Sequence, residues 1–226
     1  WFRKLPWTDA RFVLVFIGML FFIPGGLGGI INASGQMNQL VHNTIWIVGH
    51  FHITVGAPVI LTYFAAMLFL LPHITGRKID KIANRLGLFL AYTWALGMGI
   101  MSLAMHWAGL RGAPRRSTFS EYGGAEVAQE WITYQVMQAV GGSFLFIAII
   151  IAILMFLKLI TGPKQAEPEE FPVAMFMDQE EPVVKWVENW RLLIIITIFL
   201  ILIAYTVPVT QMFTENIPGA KGFKLW

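Results

Sequence analysis

The sequence predicts an all-α integral membrane protein with five transmembrane helices. Three observations carry this. Only 13% of the residues are charged and 57% are hydrophobic, with a mean hydropathy of +0.65. Soluble domains are about a quarter charged. Five apolar stretches free of formal charge reach the ~20 residues that a helix needs to cross hydrocarbon. None of them alternates with a period of two, so helices fit and a transmembrane barrel does not.

The first stretch is Phe12–Ile31. Pro24, followed by Gly25, Gly26, Gly28 and Gly29, is expected to end or bend it. Gly25 and Gly29 have small-xxx-small spacing and are expected to pack against another helix. The second stretch, Thr44–Leu71, contains His50 and His52. The third and fourth are Leu86–Trp107 and Ile132–Phe156. Between Gly162 and Pro182 the chain turns acidic, with Glu167, Glu169, Glu170, Asp178, Glu180 and Glu181 among prolines. That segment reads as a solvated cytoplasmic loop. Trp186 and Trp190 then lead into the fifth stretch, Leu192–Phe213, where they suit interface anchors. No internal repeat is evident, and residues 1–226 read as one bundle.

With five spans the termini lie on opposite sides. One side holds Arg111, Arg115, Arg116, Lys221 and Lys224; the rest of the 16 Lys and Arg fall on the other. The positive-inside bias then predicts a cytoplasmic N-terminus and an external C-terminus. The outer cluster Arg111, Arg115 and Arg116 is the anomaly in that pattern.

A net charge of +3, scattered along the chain, argues against nucleic-acid binding. Cysteine is absent, which excludes disulfides, thiolate metal sites and cysteine nucleophiles. The sequence opens on Trp1 without a signal peptide and reads as a piece of a longer protein.

The chemistry centres on His50-Phe51-His52. The chain from Phe12 to Gly76 carries no Asp, Glu, Lys or Arg, yet holds four of the 5 histidines. Imidazole is costly in hydrocarbon without a partner, so intramembrane histidines point to function. Residues i and i+2 of a helix project about 200° apart. One helix therefore cannot turn both rings onto one small ion, but it can offer each to a different cofactor. One buried His alone reads as a core residue hydrogen-bonded to a neighbouring helix. A pair on opposite faces of an uncharged helix reads as ligands of two haem irons. Read on the same helix, His42 lies about 12 Å above His50 and about 80° from each haem-facing side. His73 and His106 stand at helix ends and read as interfacial or packing residues.

Arg115 and Arg116 follow Pro114 just beyond the third span. Guanidinium groups present fork-shaped donors to carboxylates. Haem propionates would neutralise this cluster and account for the anomaly. His42 would lie in the same propionate region.

These residues resemble a known family. Val41-His42-Asn43-Thr44, Trp46, Gly49-His50-Phe51-His52, His106-Trp107-Ala108-Gly109-Leu110 and Pro114-Arg115-Arg116 are similar to the C-terminal part of subunit I of haem–copper terminal oxidases. The B-type, Thermus-like branch looks nearest. The likeness extends to Ile23-Pro24-Gly25-Gly26, Asn32-Ala33-Ser34, Leu71-Pro72, Thr75-Gly76 and Leu225-Trp226. The resemblance implies that His50 is the axial ligand of the high-spin haem and the catalytic residue. It implies that His52 is an axial ligand of the low-spin haem, that Arg115 and Arg116 hold propionates, and that His42 stands near the high-spin haem propionate. Two departures stand out. Asn43 replaces the Asp of the A-type branch, so no outer divalent-metal site is expected. Asn38 replaces a carboxylate of Thermus-like members and cannot titrate.

The resemblance implies part of the catalytic subunit of a respiratory oxidase that reduces oxygen to water and translocates protons. The active-site copper and the second low-spin ligand would come from an N-terminal part of subunit I not contained in this chain. A subunit II with a two-copper centre, cytochrome c or quinol as donor, and membrane lipid are the implied partners. The implied location is a bacterial or archaeal cell membrane. Two other readings stay open: a nitric oxide reductase large subunit, which would carry non-haem iron in place of copper, and a non-catalytic membrane haem protein, which would lack a CO-binding haem.

Overall fold

The computed structural model describes residues 2–117, 122–165, 186 and 189–214. The chain divides into two units, residues 1–171 and 172–226. In the first unit the spans are α1 (Ala10–Ala33), a second span built from α3 (Trp46–Phe51), a π turn (His52–Gly56) and α4 (Pro58–Thr75), then α5 (Lys81–Leu110) and α6 (Ile132–Thr161). A short helix, α2 (Gly35–Val41), joins the first two spans. The second unit contains α7 (Trp190–Thr214), with Pro208 inside it. Among the described residues, five helices are long and apolar enough to cross a membrane, as the hydropathy predicts.

Polar groups fix the helix starts. Asp9 caps α1, accepting the backbone N–H of Arg11 at 2.9 Å and its guanidinium at 2.7 Å. That guanidinium holds the Asp9 carboxyl below its ordinary value. Asp80 caps α5 by accepting Ala83 N–H at 2.8 Å and pairs with Lys158 of α6 at 2.9 Å. The Ala83 hydrogen bond, followed by Lys158, lowers its carboxyl in the same direction. Asn84 ties α5 back to the chain before α1, accepting Ala10 N–H at 2.9 Å and donating to the Thr8 carbonyl at 2.7 Å.

The shared core of the first unit is small and tight. Val13 and Leu14 of α1, Leu61 and Leu68 of α4, Leu90 of α5 and Met155 and Leu159 of α6 are all buried within it. Many other large apolar side chains, such as Phe22, Ile23, Phe89 and Phe146, remain exposed. A lipid solvent demands no burial of them, so close helix contact depends on small residues instead. A Cβ on Gly97 would lie 2.9 Å from the Gly141 carbonyl oxygen, and one on Gly141 2.8 Å from that of Gly97. At that level α5 and α6 meet backbone to backbone. Gly109 is tighter still: a Cβ there would overlap the backbone nitrogen of Trp46 and reach 2.5 Å from its Cβ. Gly109→Ala must therefore push α5 away from α3. The expected cost is about 1–3 kcal/mol of overpacking, read as a lower thermal midpoint of the assembled protein in detergent. An unchanged midpoint would contradict this close approach.

Three expectations need correction. The first helix does not end at Pro24; it runs on to Ala33. The missing N–H of a proline is tolerated within a membrane helix. Its contact glycines are Gly18, Gly25 and Gly28, whereas Gly29 faces open space. The Gly25–Gly29 packing pair is thus replaced by Gly25 and Gly28. Second, Thr44–Leu71 is not one regular helix. Ala57 N–H reaches back five residues to the His52 carbonyl at 2.9 Å. Pro58 follows at once and has no N–H for the carbonyl four residues earlier, so a widened turn relieves its ring. Third, His42 is not on the same helix as His50. It closes α2, and Asn43–Ile45 separate it from α3, so the helical rotation between the two histidines does not apply. Of the expected acidic loop, only 162–165 belongs to the described residues; Glu167 to Glu181 lie outside them, as do Lys185, Lys221, Lys224 and the final Leu225–Trp226.

Candidate functional site

His50 lies in α3 and is 9% exposed. Gly28 of α1 forms one wall of its site: a Cβ there would lie 2.6 Å from His50 Nδ1 and 3.3 Å from Cε1. Trp46, one turn earlier, runs nearly parallel to the imidazole, with centroids 5.8 Å apart and planes at 13°. His50 Nδ1 is buried and has no hydrogen-bond partner among the described residues. Buried polar atoms of this kind are rare and call for an explanation.

His52 opens the π turn and is half-buried. Its Nδ1 lies 2.7 Å from the Val48 carbonyl oxygen. A carbonyl only accepts, so Nδ1 carries the proton and donates it. Nε2 is then left with its lone pair, which is how a ligating imidazole is normally prepared. The two histidines share no such neighbour: His50 is enclosed by α1 and Trp46, while His52 is anchored to its own helix. Thr54 within the π turn donates to the His50 carbonyl at 2.8 Å, and Trp94 of α5 donates to the Gly56 carbonyl at 2.9 Å. The turn that follows the two histidines is therefore held from two sides.

Pro114-Arg115-Arg116 meets the start of the same span. Thr44 and Pro114 form an antiparallel bridge. Arg115 N–H donates to the Asn43 carbonyl at 3.1 Å, and Ile45 N–H to that of Ala113 at 2.9 Å. Arg115 is half-buried and Arg116 exposed. Arg116 has φ 61°, a left-handed conformation that a non-glycine residue adopts only when its surroundings hold it. His42 immediately precedes Asn43, whose carbonyl accepts from Arg115, and lines a recess of about 330 Å3 with Asn38, Gln39 and Asn43. The backbone thus gathers His42, Arg115 and Arg116 at the end of the span that leads down to His50.

Several contributors have no sequence motif of their own. Gly28 is one of several similar glycines, and only its register against His50 singles it out. Ser102 is buried in α5 and donates to the Gly49 carbonyl at 2.8 Å. His106 is a packing residue, as expected: its Nδ1 donates to the Ser102 carbonyl at 2.7 Å and its ring meets Trp46 edge-on. His73 makes a ring contact with Phe69. Among the described residues no group of three His, Asp or Glu could hold a metal ion, so no three-histidine copper set is found there.

Comparison with known proteins bears on this arrangement. Residues 1–144 match the family model for cytochrome c and quinol oxidase polypeptide I. A cytochrome c oxidase subunit 1 of Thermus thermophilus is 35% identical over the whole of this chain, which spans 41% of that relative's length. A second, shorter cytochrome c oxidase subunit 1 from Thermus thermophilus is 49% identical over 47% of this chain and 99% of its own length. Among solved structures, a haem–copper terminal oxidase dimer determined by cryo-electron microscopy is 32% identical with a TM-score of 0.67, covering 84% of this chain and 34% of that one. A family model over most of the chain, a relative aligned along all of it and a shared helical fold agree: the chain belongs to the cytochrome c and quinol oxidase polypeptide I family.

Proposed function

We propose that this chain is part of the catalytic subunit of a respiratory terminal oxidase that reduces oxygen to water. His50 would ligate the high-spin haem and His52 the low-spin haem. The observation that carries the reading is the pair of differently prepared imidazoles within three residues of one span. The residues fit the group. His50 Nδ1 faces the wall that Gly28 of α1 forms, so Nε2 would be its ligating atom. His52 has its Nδ1 proton committed to Val48, so Nε2 is the ligating atom. When bound, the haems supply the redox-active iron for one-electron transfer and oxygen reduction.

The chain's own residues do the rest. Val48 fixes the tautomer and plane of His52. Gly28 and Trp46 exclude water from the wall behind His50. Arg115 and Arg116 present charge-assisted donors to haem propionates, and their bridge to Asn43–Ile45 sets the height of those donors above His50. His42, next to the Asn43 carbonyl that accepts from Arg115, would stand in the propionate region. The copper and the second low-spin ligand would belong to the remainder of the subunit. Subunit II with a two-copper centre, and cytochrome c or quinol, would deliver the electrons, with proton translocation coupled to the reaction. The enzyme would lie in a bacterial or archaeal cell membrane, with the N-terminus of this chain cytoplasmic.

The test is a reduced-minus-oxidised and a reduced-plus-CO optical spectrum of the assembled complex, with iron and copper quantified on the same sample. Two haems, one binding CO, with copper present, are expected. Non-haem iron in place of copper would move the assignment to a nitric oxide reductase. A single six-coordinate haem without a CO shift would remove the oxygen chemistry. His52→Ala in the same complex is expected to eliminate the low-spin band; a persisting reduced low-spin band would refute that ligand.

A further inference from the structure

We infer that Trp131 and Tyr134, at the start of α6, are positioning residues for Arg115 and Arg116. The inference rests on those arginines holding haem propionates, as proposed above. A guanidinium meets a carboxylate by paired hydrogen bonds only if the backbone that carries it stands in a fixed place. The end of α5 alone does not supply that place. It closes with Gly112 N–H on the Gly109 carbonyl at 3.0 Å and Ala113 N–H on the Ala108 carbonyl at 3.0 Å. Gly112 takes φ 79°, as the residue after the cap of such a closure does. Beyond this glycine the chain leaves the helix, and Arg115 follows within three residues.

The start of α6 grips the chain on both sides of that glycine. The Trp131 indole N–H donates to the Arg111 carbonyl at 3.0 Å. That carbonyl lies at the helix end, where intrahelical donors have run out. Tyr134 comes three residues later and so lies on the same face as Trp131. The Arg111 guanidinium carbon sits over its ring, 4.9 Å from the centroid, within cation–π range. On the far side of the glycine, Ala113 is buried in one apolar cluster with Ala108, Ala128 and Trp131, and Ile45 and Tyr134 pack against it. The Ala113 carbonyl then accepts Ile45 N–H, and Arg115 N–H reaches the Asn43 carbonyl. Arg116, next along, is held at φ 61°. Closing α5 needs only the two bonds to Ala108 and Gly109. The indole bond, the ring beneath a cation and the shared apolar cluster go further, and fix where the segment from Arg111 to Arg116 stands.

The experiment uses the assembled oxidase and reads the haem reduction potentials by optical redox titration. A guanidinium near a haem favours the reduced form, which carries one positive charge fewer, so displacing it lowers the potential. Arg115→Gln combined with Arg116→Gln is expected to lower the potential. Trp131→Phe loses the N–H and keeps a ring; Tyr134→Leu loses the ring beneath Arg111. Each is expected to lower the potential by less than the double arginine variant. Neither is expected to lower it further in the Arg115→Gln, Arg116→Gln background, because the effect runs through those two side chains. A fall in thermal midpoint with the potentials in place would mean a structural role only and overturns the inference. A shift that persists undiminished in the double arginine background overturns it as well. Should Tyr134→Leu fail to assemble, Trp131→Phe decides alone. Unmoved potentials in the double arginine variant remove the propionate reading and the inference with it. Potentials that move there, and in neither aromatic variant, remove the inference alone.

Discussion

His50→Ala in the assembled oxidase is expected to abolish oxygen reduction while the low-spin haem spectrum persists. The separation follows from how the two histidines are held. His52 takes its orientation from the Val48 carbonyl within its own turn, at 2.7 Å. His50 contributes nothing to that bond, so removing its ring leaves the His52 tautomer and its free Nε2 unchanged. At position 50 itself no neighbour can substitute. Gly28 offers no side chain, Trp46 offers only an indole N–H donor, and His106 is committed through Nδ1 to Ser102. The substitution also leaves an imidazole-sized space between Gly28 and Trp46. Added imidazole is therefore expected to restore part of the CO-binding spectrum in His50→Ala and none in the wild type. Oxygen consumption by His50→Ala at the wild-type rate would show that this residue is not the catalytic ligand.

Much of the fold was legible in the sequence because a membrane imposes a one-dimensional rule. A chain that must satisfy every backbone group internally across ~30 Å of hydrocarbon needs long uncharged helices. The expected spans fall within a few residues of those observed, and the structure mainly extends them. Phe12–Ile31 becomes Ala10–Ala33, two residues longer at each end, with the start set by the Asp9 cap. Leu86–Trp107 becomes Lys81–Leu110 because Asp80 caps an amphipathic first turn that hydropathy alone leaves out. What the pattern could not show was interruption inside an apolar run. Pro58 and Pro24 look alike in sequence, yet one follows a π turn and the other rides within a continuous helix. The difference lies in tertiary support: Thr54, Trp94 and Met98 surround the turn before Pro58.

The candidate site was legible to a different depth. His50 and His52 stood out because polar atoms in hydrocarbon are expensive and therefore conspicuous. Arg115 and Arg116 stood out because the positive-inside bias predicts few charges on their side. Their proximity to His42 and Thr44 needed the structure, since the link is a backbone bridge between segments about 70 residues apart, with no side-chain signature. Reading His42 and His50 on one helix missed the break at Asn43–Ile45, where the Thr44 hydroxyl turns back to the Val41 carbonyl at 2.8 Å. Trp46, Ser102 and His106 are ordinary helix residues until their mutual contacts are known.

Gly28 gives the sharpest test of the site, because helix propensity and site geometry predict opposite outcomes there. Glycine inside a helix is less favourable than alanine by roughly 0.5–1 kcal/mol. On propensity alone, Gly28→Ala should stabilise α1. Geometry says otherwise at one spot: the added Cβ would lie 2.6 Å from His50 Nδ1, closer than real contacts of this kind, so the ring must swing or α1 must retreat. Trp46 and the α3–α5 contact oppose any compensating movement of the ring. A displacement on the order of 1 Å at a reacting group can cost about 100-fold in rate. Gly28→Ala is therefore expected to lower oxygen reduction by about 10-fold and Gly28→Val by about 100-fold. The high-spin spectrum should be perturbed and the low-spin spectrum intact. Gly29→Ala is the control, since a Cβ there meets nothing within 4 Å of this chain. If activity falls in Gly28→Ala while the thermal midpoint holds or rises, the loss is local to His50 and not a failure of the helix. Equal turnover in Gly28→Ala and Gly29→Ala would mean that the wall behind His50 is looser than its geometry requires, and that α1 plays no part in setting the ligand.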